Sequence, residues 1–342
     1  MNFYSKTHLL TMKVAIDSDI PYIRGIVEPY AEVVYMRDDD ITAERIRDCD
    51  ALLVRTRTRC NEALLKGTKV RFIATATIGL DHIDQVWCKA NGITVCNARG
   101  CNARGVLQWV SAVLKHIVLG DGKRPEDYTI GIVGVGSVGS LVEEYSRRWG
   151  FRVLRCDPPR KEREGGDFRT LEELAEKCDI LTFHTPLDAS TRHLLNNDII
   201  ARLKPEAIII NASRGGVVDN RAVFHSSHRY FFDVWESEPN IDREVLARAE
   251  LATNHVAGYS KQGKANATAM SVNSLARHFN LPLKDWYPKE VTPTTPHAIS
   301  WEEMCAKIDR YCAISEESQR LKANPEIFET WRNSYSFREE FF

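Results

Sequence analysis

Short runs of apolar, mostly β-branched residues recur through the first hundred positions. Lys13–Asp17, Glu32–Met36, Ala51–Val54, Val70–Ala74 and Ile93–Cys96 are such runs, and longer stretches of mixed polarity separate them. Continuous apolar runs of this length, spaced by helical stretches and turn residues, predict an α/β sheet. Gly92 is placed to end a helix over 82–91. From Ala103 to Leu119 the spacing changes. Val106, Leu107, Val110, Val113, Leu114, Ile117 and Val118 cover much of a helical circumference, which predicts a buried helix.

A second series of apolar runs follows: Thr129–Val133, Phe151–Cys156, Asp179–His184, Ala207–Asn211, Phe231–Trp235 and Glu250–Thr253. Residues 261–279 return to a helical pattern. Pro282, Pro288, Pro293 and Pro296 mark a linker. Ser300 and Glu303 are spaced as a helix capping box. The remaining residues read as two amphipathic helices broken at Asn324-Pro325. The pattern therefore predicts an α/β chain with two doubly wound, Rossmann-like halves and a small helical end.

Between the first two runs of the second series lies Gly134-Val-Gly-Ser-Val-Gly139. Strand, glycine turn, helix, strand and acid follow in order, the context that makes a G-x-G-x-x-G specific for a dinucleotide. Gly134 permits the turn, Gly136 lets backbone approach a pyrophosphate, and Gly139 lets helix pack on strand. The helix N-terminus faces the phosphate charge. Asp157 closes the next strand, where a carboxylate accepts from both ribose hydroxyls. A 2′-phosphate there meets like charge, so the expected cofactor is NAD, not NADP.

Composition removes several function classes. The 342 residues suit two or three domains. With 46 basic and 47 acidic residues the net charge is -1, which gives no electrostatic case for nucleic acid or an anionic membrane. No apolar run reaches the roughly 18 residues of a membrane span. Residues 1–11 lack the apolar core of a signal peptide and read as a start-site extension or a frayed tail. The nine cysteines contain no C-x-x-C pair, so they predict reduced thiols in a cytoplasmic protein and no metal site.

Oxidising an alcohol needs a group that holds the substrate and a base that takes the hydroxyl proton. Three loops after predicted strands each supply a candidate. Arg214 follows Asn211-Ala-Ser, where a guanidinium can hold a carboxylate with two parallel hydrogen bonds. Glu238 lies in Asp233-Val-Trp-Glu-Ser-Glu-Pro239. His255 lies in Asn254-His-Val-Ala-Gly-Tyr259, and imidazole is the side chain whose ordinary charge change falls near neutrality.

With these residues the chain resembles the D-2-hydroxyacid dehydrogenases. That family carries a small-x-Arg-Gly motif, a Glu-Pro after Asp-Val-aromatic, and a His-x-x-Gly loop. Val54-Arg-Thr-Arg-Thr58, Ala76–Asp84, Gly100–Ala103, Cys156-Asp-Pro-Pro-Arg160, Phe183–Leu187, His255–Tyr259 and Gly263–Ala265 narrow the resemblance. They match the branch that oxidises a small phosphorylated 2-hydroxy acid.

The resemblance implies catalytic roles for Arg214, Glu238 and His255. It implies NAD contacts at Gly134, Gly136, Ser137, Val138, Gly139, Asp157, Thr185, Ala212, Ser213, Arg214, Asp233 and Gly258. Substrate contacts are implied at Thr56, Thr77 and Tyr259, with Arg55, Arg57, Arg99 and Lys264 as cations available to a phosphate. It also implies a discontinuous substrate domain (12–103 and 259–280), an NAD-binding domain (104–258) and a C-terminal dimerisation domain (281–342), hence a homodimer. Residues 221–230 are shorter than in that family and lack part of a helix and its glycine turn. Three alternatives stand beside this reading: a sibling acting on another 2-hydroxy acid such as 3-phosphoglycerate, a catalytically inactive NAD-binding regulator, and a mainly structural dimer module suggested only by the tail.

Overall fold

The apolar runs form two wholly parallel sheets. The structure, a computed structural model, describes residues 12–342; the expected N-terminal extension or tail at 1–11 lies outside the described residues. The chain divides into two units, the described part of Met1–Asn102 with Lys261–Pro293, and Ala103–Ser260 with Thr294–Phe342. Each is built around its own sheet.

The first unit holds β1 (Lys13–Asp17), β2 (Glu32–Met36), β3 (Ala51–Val54), β4 (Phe72–Thr75) and β5 (Thr94–Asn97), in the order β2-β1-β3-β4-β5. Parallel strands are covered on both faces, which is why they read as unbroken apolar runs. On one face Val272, Leu275 and Ala276 of the Lys261–Phe279 helix pack with Val14, Ile16 and Phe72. On the other, Ile46, Leu65 and Cys88 pack with Leu52 and Ile73. Asp84 caps the Gln85–Ala90 helix by accepting from Trp87 N, and Gly92 follows its end at φ 72. No regular helix joins β1 to β2. Pro21 and Pro29 remove backbone donors and Gly25 turns at φ 81, so residues 18–31 form successive turns.

The second unit holds β6 (Thr129–Val133), β7 (Arg152–Cys156), β8 (Ile180–Phe183), β9 (Ile208–Asn211), β10 (Arg229–Phe232) and β11 (Ala249–Ala252). Their order, β11-β10-β9-β8-β6-β7, reverses direction between β6 and β8. Such a switch opens a crevice at the carboxyl ends of the strands. The Ala103–Gly120 helix is buried around most of its circumference, as its pattern predicts. The short segment before β10 contains one helical turn, Asn220–Phe224, yet β10 keeps its place, with Phe232 opposite Asn211. Val234 and Trp235, expected within that strand, are buried in the loop beyond it.

Of the segment 281–342, residues up to Pro293 fall in the first unit and Thr294–Phe342 in the second. Its later part contributes Met304, Ile308, Ile314 and Phe342 to the core around Trp109 and Ile130, and Leu321 and Phe328 to the core around Phe232. It forms three helices, Trp301–Tyr311, Ile314–Ala323 and Phe328–Asn333. The break at Cys312-Ala313 escapes a sequence reading because apolar spacing continues through it. Among the described residues no helix is long and apolar enough to cross a membrane.

Candidate active site

The glycine turn joins β6 to the Ser137–Arg148 helix. A Cβ on Gly134, at φ 86, would lie 2.9 Å from the His184 carbonyl oxygen, and one on Gly139 would lie 2.0 Å from that of Gly134. A Cβ on Gly136 would meet nothing within 4 Å. Close packing thus requires the first and third glycines, while the second keeps a stretch of backbone open at the helix N-terminus. Asp157 Oδ2 accepts from Val135 N at 2.8 Å and Oδ1 from Arg160 N at 2.9 Å. Each carboxylate oxygen keeps further acceptor capacity. Among the described residues the Thr185 hydroxyl is buried without a partner. An open turn, an acid and an orphaned hydroxyl at the ends of β6, β7 and β8 suit a dinucleotide.

Arg214 is held by the turn after β9. Asn211 Oδ1 accepts from Ser213 N at 3.0 Å and from Ser213 Oγ at 2.7 Å, and Asn211 Nδ2 donates to Arg214 O at 3.0 Å. This fixes Ala212, Ser213 and Arg214 at the carboxyl end of β9. Gly215 then lies against the next loop: a Cβ there would stand 1.9 Å from the Trp235 carbonyl carbon.

Glu238 and His255 come together. Glu238 Oε1 accepts from Trp235 N at 2.8 Å, and Oε2 lies 2.7 Å from His255 Nδ1. Burial pushes the Glu238 carboxyl upward. The charge and hydrogen bond of His255, the Trp235 N–H and the Arg332 guanidinium outweigh it and leave the group below its ordinary value. An ionised carboxylate only accepts, so Nδ1 carries a proton, and the lone pair of the ring in its neutral form is at Nε2.

The backbone of His255 sits at φ 58 and that of Ser237 at φ 64, conformations that cost non-glycine residues on the order of 1–3 kcal/mol. Asp233 holds this geometry. Its carbonyl accepts from His255 N at 2.7 Å, and its carboxylate accepts from Thr253 Oγ1, Val256 N and Ala257 N at 2.6, 2.8 and 3.0 Å.

Arg214, Glu238 and His255 line one pocket of about 180 Å³, together with Leu187, Arg192 and Glu236. Glu236 pairs with His193 Nε2 at 2.8 Å, a contact that the sequence reading missed because His193 lies 43 positions away. Gly258 and Tyr259 follow in the same loop. The Tyr259 ring stands edge-on to Tyr335 and Phe337, with centroids 5.9 and 6.1 Å apart. Thr56 and Thr77 belong to the first unit, just beyond β3 and β4. There Thr77 Oγ1 lies 2.7 Å from Thr75 Oγ1. Of the expected cations, Arg55 is paired with Asp17 and Asp19 at 3.0 and 2.7 Å, and Arg57 with Asp38 at 3.7 Å.

Comparison with known proteins gives the family. Residues 107–257 match the family described as D-isomer specific 2-hydroxyacid dehydrogenase, NAD binding domain. The chain is 44% identical to the erythronate-4-phosphate dehydrogenase of Bacteroides thetaiotaomicron, over 96% of this chain and 97% of that protein. It is 43% identical to the enzyme of that name from Klebsiella pneumoniae, over 75% of this chain and 71% of that protein. Among solved structures, NAD-bound 3-phosphoglycerate dehydrogenase of Entamoeba histolytica superposes with a TM-score of 0.67 at 26% identity, covering 80% of this chain and 98% of that one. With its parallel sheets, glycine turn and Arg–Glu–His pocket, the chain belongs to the D-isomer specific 2-hydroxyacid dehydrogenase family, in the branch of the erythronate-4-phosphate dehydrogenases.

Proposed function

We propose that the protein oxidises the C2 hydroxyl of 4-phospho-D-erythronate to (R)-3-hydroxy-2-oxo-4-phosphooxybutanoate with NAD, a step of pyridoxal 5′-phosphate (vitamin B6) biosynthesis. The observation that carries this reading is the single pocket lined by Arg214 and by a His255 backed at 2.7 Å by Glu238. The Gly134–Gly139 turn, Asp157 and the loops after β8 to β11 would hold NAD, which supplies the electron-pair acceptor when bound. Arg214 spans the substrate carboxylate and the C2 oxygen with its planar set of donors. His255 Nε2 receives the hydroxyl proton as general base. The ring is then a cation, and Glu238 stabilises it at Nδ1. Thr56, Thr77 and Tyr259 are assigned to substrate contacts on the resemblance.

The test is NADH formation by purified protein given 4-phospho-D-erythronate or 3-phosphoglycerate. Because a site built around a polar group discriminates strongly against an analogue that misplaces it, kcat/KM is expected to favour the four-carbon acid by at least about 100-fold. Preference for 3-phosphoglycerate rejects the substrate assignment. No NADH with either acid, even at high enzyme concentration, favours an inactive NAD-binding regulator. A cytoplasmic homodimer is proposed on the same resemblance. Light scattering at two chain masses supports the dimer, and one chain mass overturns it.

A further inference from the structure

Beyond the Phe328–Asn333 helix, residues 335–342 return to the loop that carries His255. Arg338 N donates to Tyr259 O at 3.2 Å, and Ser260 and Arg338 form a parallel bridge. The Arg338 side chain is buried, with the residue 9% exposed. Its Nη2 donates to Val256 O at 3.1 Å and to Ala257 O at 2.6 Å. These are the two residues whose N–H groups Asp233 accepts. The peptide groups next to His255 are therefore gripped by a buried carboxylate at their donors and a buried guanidinium at their acceptors. Arg338 is itself oriented: Nη1 donates to Tyr335 Oη at 3.2 Å, and Tyr335 donates to Glu317 Oε1 at 2.6 Å. Farther on, Glu340 accepts from Ser260 Oγ and from Thr294 Oγ1, both at 2.6 Å.

Anchoring the segment does not require a buried arginine. Phe342 is fully buried beside Tyr145 and Trp149, which already ties the segment to the core. A guanidinium taken out of water is costly unless its donors are used with good geometry. Here Nε is buried without a partner among the described residues, Nη1 is used on Tyr335, and Nη2 is used twice on the backbone of the loop that holds His255 at φ 58, a conformation that needs support from outside contacts.

We propose that Arg338 is a positioning residue for His255, and that segment 335–342 is a clasp that holds the His255–Tyr259 loop in its reacting geometry. The proposal rests on the reading of His255 as the base, and its test separates the two. Arg338→Met removes the donors, whereas Arg338→Lys keeps a donor group of the same charge. For Arg338→Met, kcat is expected to fall by about 100-fold, the effect of a displacement near 1 Å. The Kd for NAD should stay within about threefold and the KM for 4-phospho-D-erythronate within about tenfold, because of the assigned contacts only Gly258 and Tyr259 lie in the clasped loop. Arg338→Lys should recover at least about a tenth of the wild-type kcat.

A second readout needs no substrate. In protein labelled with ¹⁵N-histidine, the downfield Nδ1 proton of the His255–Glu238 bond, assigned by its loss in His255→Asn, should disappear or shift in Arg338→Met. If kcat stays within about threefold of wild type and that proton is unmoved, the clasp is overturned. If Arg338→Met does not fold, Glu340→Gln, which weakens the hold of the same segment on Ser260, is judged by the same two readouts. A wild type inactive on the acid, with the proton moved by Arg338→Met, refutes the substrate reading and upholds the clasp.

Discussion

Changing His255 to asparagine is expected to lower kcat for oxidation of 4-phospho-D-erythronate by a factor of about 10²–10⁴, the usual contribution of a positioned general base. Asparagine suits this test because the backbone at 255 stands at φ 58, a region that asparagine enters more readily than most residues. Its N–H can still donate to Asp233 O, so the loop keeps its course. What disappears is the lone pair at Nε2. NAD affinity should stay within about twofold, since the glycine turn and Asp157 lie on other loops. Stopped-flow NADH formation and NAD titration measure the two quantities on one sample. A variant that keeps more than about a tenth of the wild-type kcat removes His255 from the role of base.

Gly215→Ala is expected to cost about as much without touching any reacting group. The new methyl would stand 1.9 Å from the Trp235 carbonyl carbon and 2.3 Å from Glu236 N, so backbone must move on one side or both. One of those backbones carries Arg214, and the other leads to Glu238. Separating them by about 1 Å moves the carboxylate-binding guanidinium away from the acid–base pair, which predicts a loss of about 100-fold in kcat/KM. Overpacking of this kind also lowers stability, typically by about 1–3 kcal/mol. Steady-state kinetics with a denaturant melt separates the two effects. A folded variant within about threefold of wild-type kcat/KM shows that the loops accommodate the methyl, and the account of Gly215 fails.

Much of the architecture is readable from local pattern, for a physical reason. Parallel strands are buried on both faces, so β1, β3, β6 and β9 appear as continuous apolar runs, and Asp84 and Gly92 bracket a helix with their own cap and turn chemistry. Arg214, Glu238 and His255 can be picked out because each sits in a short loop directly after a strand. The sequence is less informative where the deciding partner is distant. Nothing beside Gly215 announces the Trp235 backbone twenty positions later, and Arg338 contacts carbonyls more than eighty positions upstream. The turns over 18–31 and the break at Cys312-Ala313 show the converse, where proline, glycine and tertiary packing override a helical spacing.

The discontinuity of the first unit sets an order on its birth. The Lys261–Phe279 helix covers Val14, Ile16 and Phe72, yet the ribosome makes it only after the whole of Ala103–Ser260. At roughly 5–20 residues per second, the sheet of β1–β5 waits on the order of ten seconds with one greasy face covered only by Ile20, Ile23, Val27 and Ala31 of the turns after β1. A fragment ending near residue 102 should therefore be insoluble by itself, and a free-standing version of that unit requires a permuted gene that brings the covering helix alongside its strands.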